Sequence, residues 1–165
     1  MSENDERAER PHPLDAVEAL ATGKEFLFER YAENELELAV HGRLADYRVA
    51  FTWMPQIEIL HFSCTFELAV PKHAAREADA LTELINRQLW VGHFERWEAE
   101  RFVMFRHALV LAGQRPVSEA QCMAVLSIAL EMCEQYYPAY QYVAWAGKTA
   151  QEALDAVSFD TSGTA

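Results

Sequence analysis

LHFSCTFELAV, residues 60–70, alternates with a period of two. Leu60, Phe62, Cys64, Phe66, Leu68 and Val70 fall on one side of a pleated strand, and His61, Ser63, Thr65 and Glu67 on the other. Such a strand buries one face in a core and keeps a wetter face opposite, which puts a sheet at the centre of the molecule. Pro71 cannot donate to a ladder and stops the strand. Beyond it the period lengthens: Ala74, Ala78, Leu81, Ile85 and Leu89 recur at helical spacing between Lys72 and Leu89, with Arg76, Glu77, Glu83 and Arg87 on the other sides. A sheet strand thus hands over to a packing helix, and the fold class is α+β.

Upstream, the period of two runs from Phe26 to Met54. Phe26 with Phe28, then Leu36, Leu38 and Val40, then Tyr47, Val49, Phe51 and Trp53 read as successive buried faces of three strands. Ala32-Glu33-Asn34 and His41-Gly42-Arg43 are short enough for hairpins, so neighbouring strands run antiparallel. Earlier still, Pro13 suits a first helical position, Asp15 and Glu18 complement the positive helix end, and Gly23 stops a short helix expected on the sheet edge. Downstream, Gly92 to Trp97 and Phe102 to Leu111 read as a hairpin around Glu98-Ala99-Glu100-Arg101, and Gly113-Gln114-Arg115-Pro116 closes the sheet portion. Ser118 with Gln121 forms a capping box for a helix whose apolar face is wide, and Pro138 is expected to kink or interrupt it. Thr149 with Glu152 opens a short further helix. The architecture expected is an antiparallel sheet with helices packed on it, in the order α-β-β-β-β-α-β-β-α, over residues 13–158, with flexible tails at residues 1–12 and 159–165.

The totals narrow the function. A chain of 165 residues with 51% hydrophobic and 12% aromatic content is most simply one domain, large enough to need no disulfide or structural metal. Fourteen Lys and Arg against 26 Asp and Glu give a formal charge of −12, which repels phosphate backbones and argues against nucleic acid as a partner. Cys64, Cys122 and Cys133 are odd in number and lie within apolar patterns, as buried thiols in a reducing cytoplasm do. No stretch approaches the length of a membrane span.

Candidate chemistry is sparse. His61, His73, His93 and His107 show no metal-ligand spacing and read as separate structural or surface side chains, so no metal or cofactor is expected. Cys122 and Cys133 share a helix face about three turns apart, too far for a disulfide. Glu35 with Glu37, and Glu98 with Glu100, lie on an outward strand face or in a turn and read as solvated, whereas general acid and base work needs one carboxyl in an apolar pocket. Phe62, Phe66, Phe105 and Trp97 could line an apolar cavity. Tyr136, Tyr137, Tyr140, Tyr142 and Trp145 form an aromatic cluster that reads either as core and dimer-interface packing or as a partner-binding surface.

Cys64-Thr65-Phe66, Asn86 to Phe94, Val103-Met104-Phe105-Arg106-His107 and Cys133 to Ala139 together give the chain its likeness. From Phe26 to Val157 it resembles the YbjN family, whose description is "putative bacterial sensory transduction regulator", and it is similar in fold to type III secretion chaperones. An extra early strand and an aromatic C-terminal extension depart from those chaperones. The resemblance implies a non-enzymatic regulatory or chaperone-like protein that binds a protein partner, as a homodimer, in the cytoplasm. A small-ligand sensor, or an enzyme without a recognisable motif, is the alternative.

Overall fold

The computed structural model describes residues 11–113 and 116–162. Helix α1 (Pro13–Gly23) leads into strands β1 (Leu27–Ala32), β2 (Glu35–His41), β3 (Asp46–Met54) and β4 (Ile59–Glu67). A 3-10 turn (Lys72–Ala74) and helix α2 (Ala75–Asn86) precede β5 (His93–Trp97) and β6 (Phe102–Val110). Helices α3 (Glu119–Ala146) and α4 (Ala150–Ser162) follow. The six strands form one sheet in the order β1-β2-β3-β4-β6-β5, every pairing antiparallel.

β4 sits inside the sheet, between β3 and β6, and keeps the face division read from its alternation: Leu60, Phe62, Cys64 and Phe66 are buried and Glu67 is exposed. It ends at Glu67, so residues 68–70 leave the sheet; the Leu68 N–H finds the Arg101 carbonyl at 2.9 Å instead. Across the register, Leu38, Val49, Cys64, Phe105 and Phe94 form one inward row and Leu36, Phe51, Phe62 and His107 the next. All the helices lie over this inward face. α3 crosses β4 and β6, with Tyr137 edge-on to Phe66 at 5.1 Å, Tyr136 on Phe94 at 5.8 Å and the Cys133 thiol donating to the Cys64 carbonyl at 3.9 Å. α2 packs against β5, and α4 packs against α2 and α3 as an outer layer. Glu77 of α2 accepts from the Ala150 N–H at 2.8 Å, satisfying an otherwise orphaned donor at the start of α4.

Several expectations change. α1 covers the inward side of β1–β3 beside α3, burying Leu14, Val17, Leu20 and Ala21, rather than lying on the sheet edge. His12, assigned to the tail, is its N-cap: the ring accepts from the Leu14 N–H and meets Asn34 at 3.0 Å. The rest of that tail, residues 1–10, lies outside the described residues. α3 runs through Pro138 without interruption, because Tyr136, Ala139, Tyr140 and Val143 bury against sheet and helices on either side of it, and packing outweighs the lost hydrogen bond. Lastly, β1 is mostly exposed rather than half-buried: Leu27, Phe28 and Tyr31 are 73%, 40% and 55% exposed. Alternation specifies which side a residue takes; an edge position decides whether anything covers it. At the C-terminus the backbone of α4 continues to Ser162, past the point where a tail was expected, and residues 163–165 lie outside the described ones.

Candidate functional site

The aromatic residues singled out in the sequence separate. Tyr136 and Tyr140 are buried, Tyr137 and Tyr142 half-buried, and Trp145 is 61% exposed. Tyr140 packs on Phe66 and Phe94, and its hydroxyl shares a 2.8 Å hydrogen bond with Thr82; burial pushes this phenol up, which keeps it neutral. Only the Trp145 end of the cluster is therefore open to a partner. Phe62, Phe66 and Phe105 are core residues, whereas Trp97 stands on the opposite side of the sheet and stacks on Phe102 at 5.6 Å, so no common cavity unites the four. All three cysteines are free and buried; burial pushes the Cys122 thiol up to about 11 and raises Cys133 as well, which leaves both protonated and unreactive.

The opposite face of the sheet, over which no helix packs among the described residues, carries a polar network on β4, β5 and β6. Arg106 donates from Nε to His61 Nε2 at 3.2 Å and from Nη1 to both Glu95 oxygens at 3.3 Å. Trp97 Nε1 donates to Glu95 at 3.0 Å, and His93 meets the same carboxylate at 3.2 Å. The Trp97 indole, then His93 and Arg106, hold Glu95 below the usual carboxylate range. Burial, then the Arg106 guanidinium, lowers His61. His61 shares its face and strand with Ser63, yet its accepting nitrogen is taken by Arg106 and is not free to serve as a base toward that hydroxyl. His107, on the inward side, is edge-on to Phe62 at 5.8 Å, and His73 is exposed in the 3-10 turn. Among the described residues no three His, Cys, Asp or Glu side chains are grouped to hold a metal ion.

The two edges of this sheet present backbone to different surroundings. At β5, the Asn86 side chain at the end of α2 accepts from the Phe94 N–H at 2.7 Å and donates to the Phe94 carbonyl at 2.9 Å, as a neighbouring strand would. Gly92 makes the approach possible: its φ is +69°, and a Cβ there would lie 2.3 Å from Phe105 Cζ. Between α2 and β5 runs a groove of about 720 Å³ lined by Asp79, Thr82, Asn86, Phe94 and Arg96 among others, with Arg96 fixed on Asp79 at 2.7 Å. β1 ends the sheet on the other side. Arg30 points inward and is tied to Asp15 and Glu18 of α1 at 3.0 and 3.1 Å, while Glu29 lies opposite Glu37 on the outward face. A hollow of about 300 Å³ runs over this edge, lined by Leu27, Phe28, Glu29, Tyr31 and Glu37 among others. Sequence reasoning placed Glu35 and Glu37 correctly as outward residues and missed Leu27, Glu29 and Tyr31, whose exposure follows from strand order.

Comparison with known proteins gives two matches. A family model described as "putative bacterial sensory transduction regulator", named YbjN, matches residues 13–141. A crystal structure described as YbjN, a putative transcription regulator from E. coli, superposes with a TM-score of 0.53 at 12% identity, covering 91% of this chain and 94% of that one. At such identity the likeness shows a shared fold. No curated protein matches the chain.

Proposed function

The chain belongs to the YbjN family, and from that membership we propose that it is a non-enzymatic regulatory or chaperone-like protein that binds a protein partner and works as a homodimer in the cytoplasm. The observation that carries this is the open side of the sheet: apolar and aromatic side chains of β1 stand in solvent at one edge, above a face that no described helix covers. Exposed Tyr and Leu side chains beside charged neighbours are what a partner-binding surface supplies. Engagement of His61 by Arg106 supports a non-enzymatic role, and three free buried thiols suit a reducing compartment. Regulation of transcription, the role in the description of the E. coli neighbour, comes to this chain only as an indirect one, since a net charge of −12 disfavours direct contact with DNA.

Affinity capture of the tagged protein from its host, with the complex sized by light scattering, tests the proposal. A stoichiometric protein partner and a dimeric mass for the free protein are expected. A monomer that retains no partner would overturn it. A small-molecule sensor is then favoured if a metabolite screen raises Tm saturably.

A further inference from the structure

We propose that the β1 edge takes an extended, basic segment of a partner protein as an added strand, with lysine or arginine side chains set against Glu29, Glu35 and Glu37. The proposal rests on the partner-binding role above and gives that partner a chemistry.

An edge strand offers a row of backbone donors and acceptors, and a protein that does not use such an edge blunts it. Here β5 is blunted, its outward Phe94 groups being occupied by Asn86. β1 is not. It ends the sheet with Leu27, Phe28 and Tyr31 exposed beside a hollow of about 300 Å³.

Charge identifies the occupant. Glu29 and Glu37 are direct cross-strand partners, an arrangement that destabilises an antiparallel pair. Glu35 is on the same outward face as Glu37, and burial, then Glu35 and Glu37, raise the Tyr31 phenol, which sets Tyr31 beside both carboxylates. None of the three carboxylates has an ion-pair partner among the described residues: Arg30 is held inward by Asp15 and Glu18, and Arg48, on the same outward face of β3, stands opposite Ala39 and pairs with none of them. A strand carrying cations on its outward face would supply the missing charge, while its apolar residues would meet the exposed side chains of β1.

A second copy of this chain is a poorer occupant. Two β1 strands related by a two-fold axis place outward residues opposite outward residues. Glu29 would then face Glu29, Leu27 or Tyr31 of the copy, and the last of these registers opposes Arg30 to Arg30. Each arrangement brings the acidic trios of two chains of charge −12 together without adding a cation.

The test uses the whole protein and a short blocked peptide of alternating lysine and valine, with its glutamate–valine counterpart as control. Backbone amide exchange is read by NMR over β1. The lysine peptide is expected to slow exchange at outward-facing β1 amides about tenfold at saturation and to weaken as salt rises, while the glutamate peptide has no effect. The double variant E29Q/E37Q should lose about fivefold in affinity for the lysine peptide while its Tm stays at or slightly above that of the wild type, since the cross-strand repulsion is gone. Protection elsewhere, no protection, or equal response to the two peptides would overturn the inference. So would β1 protection that grows with protein concentration alone, which would give the edge to a second copy. If host capture yields a partner while the peptide misses β1, only this inference fails; if capture also fails, the broader role fails with it.

Discussion

At the β5 edge a side-chain amide from α2 takes up the outward N–H and C=O of Phe94, whereas at the β1 edge Leu27, Phe28 and Tyr31 stand in solvent and two glutamates oppose each other. Both are ends of one sheet built from the same antiparallel pairing. The difference lies in what each strand was given to pack against. β5 follows α2 directly, and the turn through Gly92 returns the chain under the helix terminus, so Phe94 is 1% exposed among Phe105, Tyr136 and Tyr140. β1 follows α1, which spreads over the inward side of β1, β2 and β3 to reach α3 and holds Arg30 of β1 by two ion pairs. Nothing among the described residues pairs with the outer edge of β1. One edge is part of the core and the other is a surface with a sheet behind it.

Truncation should expose this contrast most strongly. Phe94→Ala removes a fully packed aromatic and is expected to cost about 3–5 kcal/mol in urea denaturation. Phe28→Ala, at a similar residue on the other edge, should cost about 1 kcal/mol or less. Equal costs would erase the distinction between the two edges.

Next in size is the edge cap itself. Asn86→Ala leaves the Phe94 N–H and C=O without their partner and should cost about 2 kcal/mol, read from the denaturation midpoint at constant m-value. Asn86→Asp keeps an acceptor for the N–H but sets a carboxylate against the Phe94 carbonyl, and should fall between alanine and wild type. A neutral Asn86→Ala would mean that β5 needs no cap and would weaken the case that β1 is left open for use.

Much of this was legible in the sequence, and where it was not the reason is specific. The alternation in residues 60–70 assigned the faces of β4, and the Ser118–Gln121 box marked the start of α3, because both signals are local. The helix–turn–strand from Asn86 to Phe94 was recognisable as a family segment, but its use of a side-chain amide as a surrogate strand is a tertiary fact. The pairing of β4 with β6, which sends β5 to the edge, joins residues distant in sequence, from Glu67 with Phe102 to Ile59 with Val110, and leaves no trace in periodicity. For the same reason Phe28 was misjudged: its alternation is sound, and only strand order reveals that β1 has one neighbour. The aromatic run from Tyr136 to Trp145 could not be divided into buried and exposed members without knowing how far α3 extends past the sheet.

The polar network on the open face gives a smaller, pH-dependent effect. In the unfolded chain His61 takes a proton near pH 6.5, whereas burial and Arg106 lower it in the folded protein. As pH falls through about 6.5 the unfolded state therefore binds more protons, and stability declines until the folded His61 also titrates. His107, lowered by burial, adds to the same window. Glu95 is lowered too, so its contribution is complete above the ordinary carboxylate range and is lost as pH falls below about 4 toward its folded value. His61→Gln, which retains an acceptor for Arg106, should flatten the stability profile between about pH 5 and 7. Glu95→Gln should flatten only the acid limb. If neither changes the profile, the network does not distinguish this half of the face from the β1 half.

The smallest effect should have the opposite sign. Glu29→Lys places a cation opposite Glu37, converts a repulsive cross-strand pair into an attractive one, and is expected to stabilise the protein by a few tenths to about 1 kcal/mol. In a double-mutant cycle with Glu37→Gln, the gain should shrink when Glu37 is neutral, since the coupling belongs to the pair and not to the strand propensity of lysine. A destabilising Glu29→Lys, or a gain indifferent to Glu37, would show that the two carboxylates do not feel each other, and the acidic β1 edge would lose its electrostatic reason to prefer a basic strand. A stabilised variant that no longer binds the lysine peptide would show instead that the wild-type edge carries a repulsion its partner relieves, and that stability at β1 has been traded for recognition.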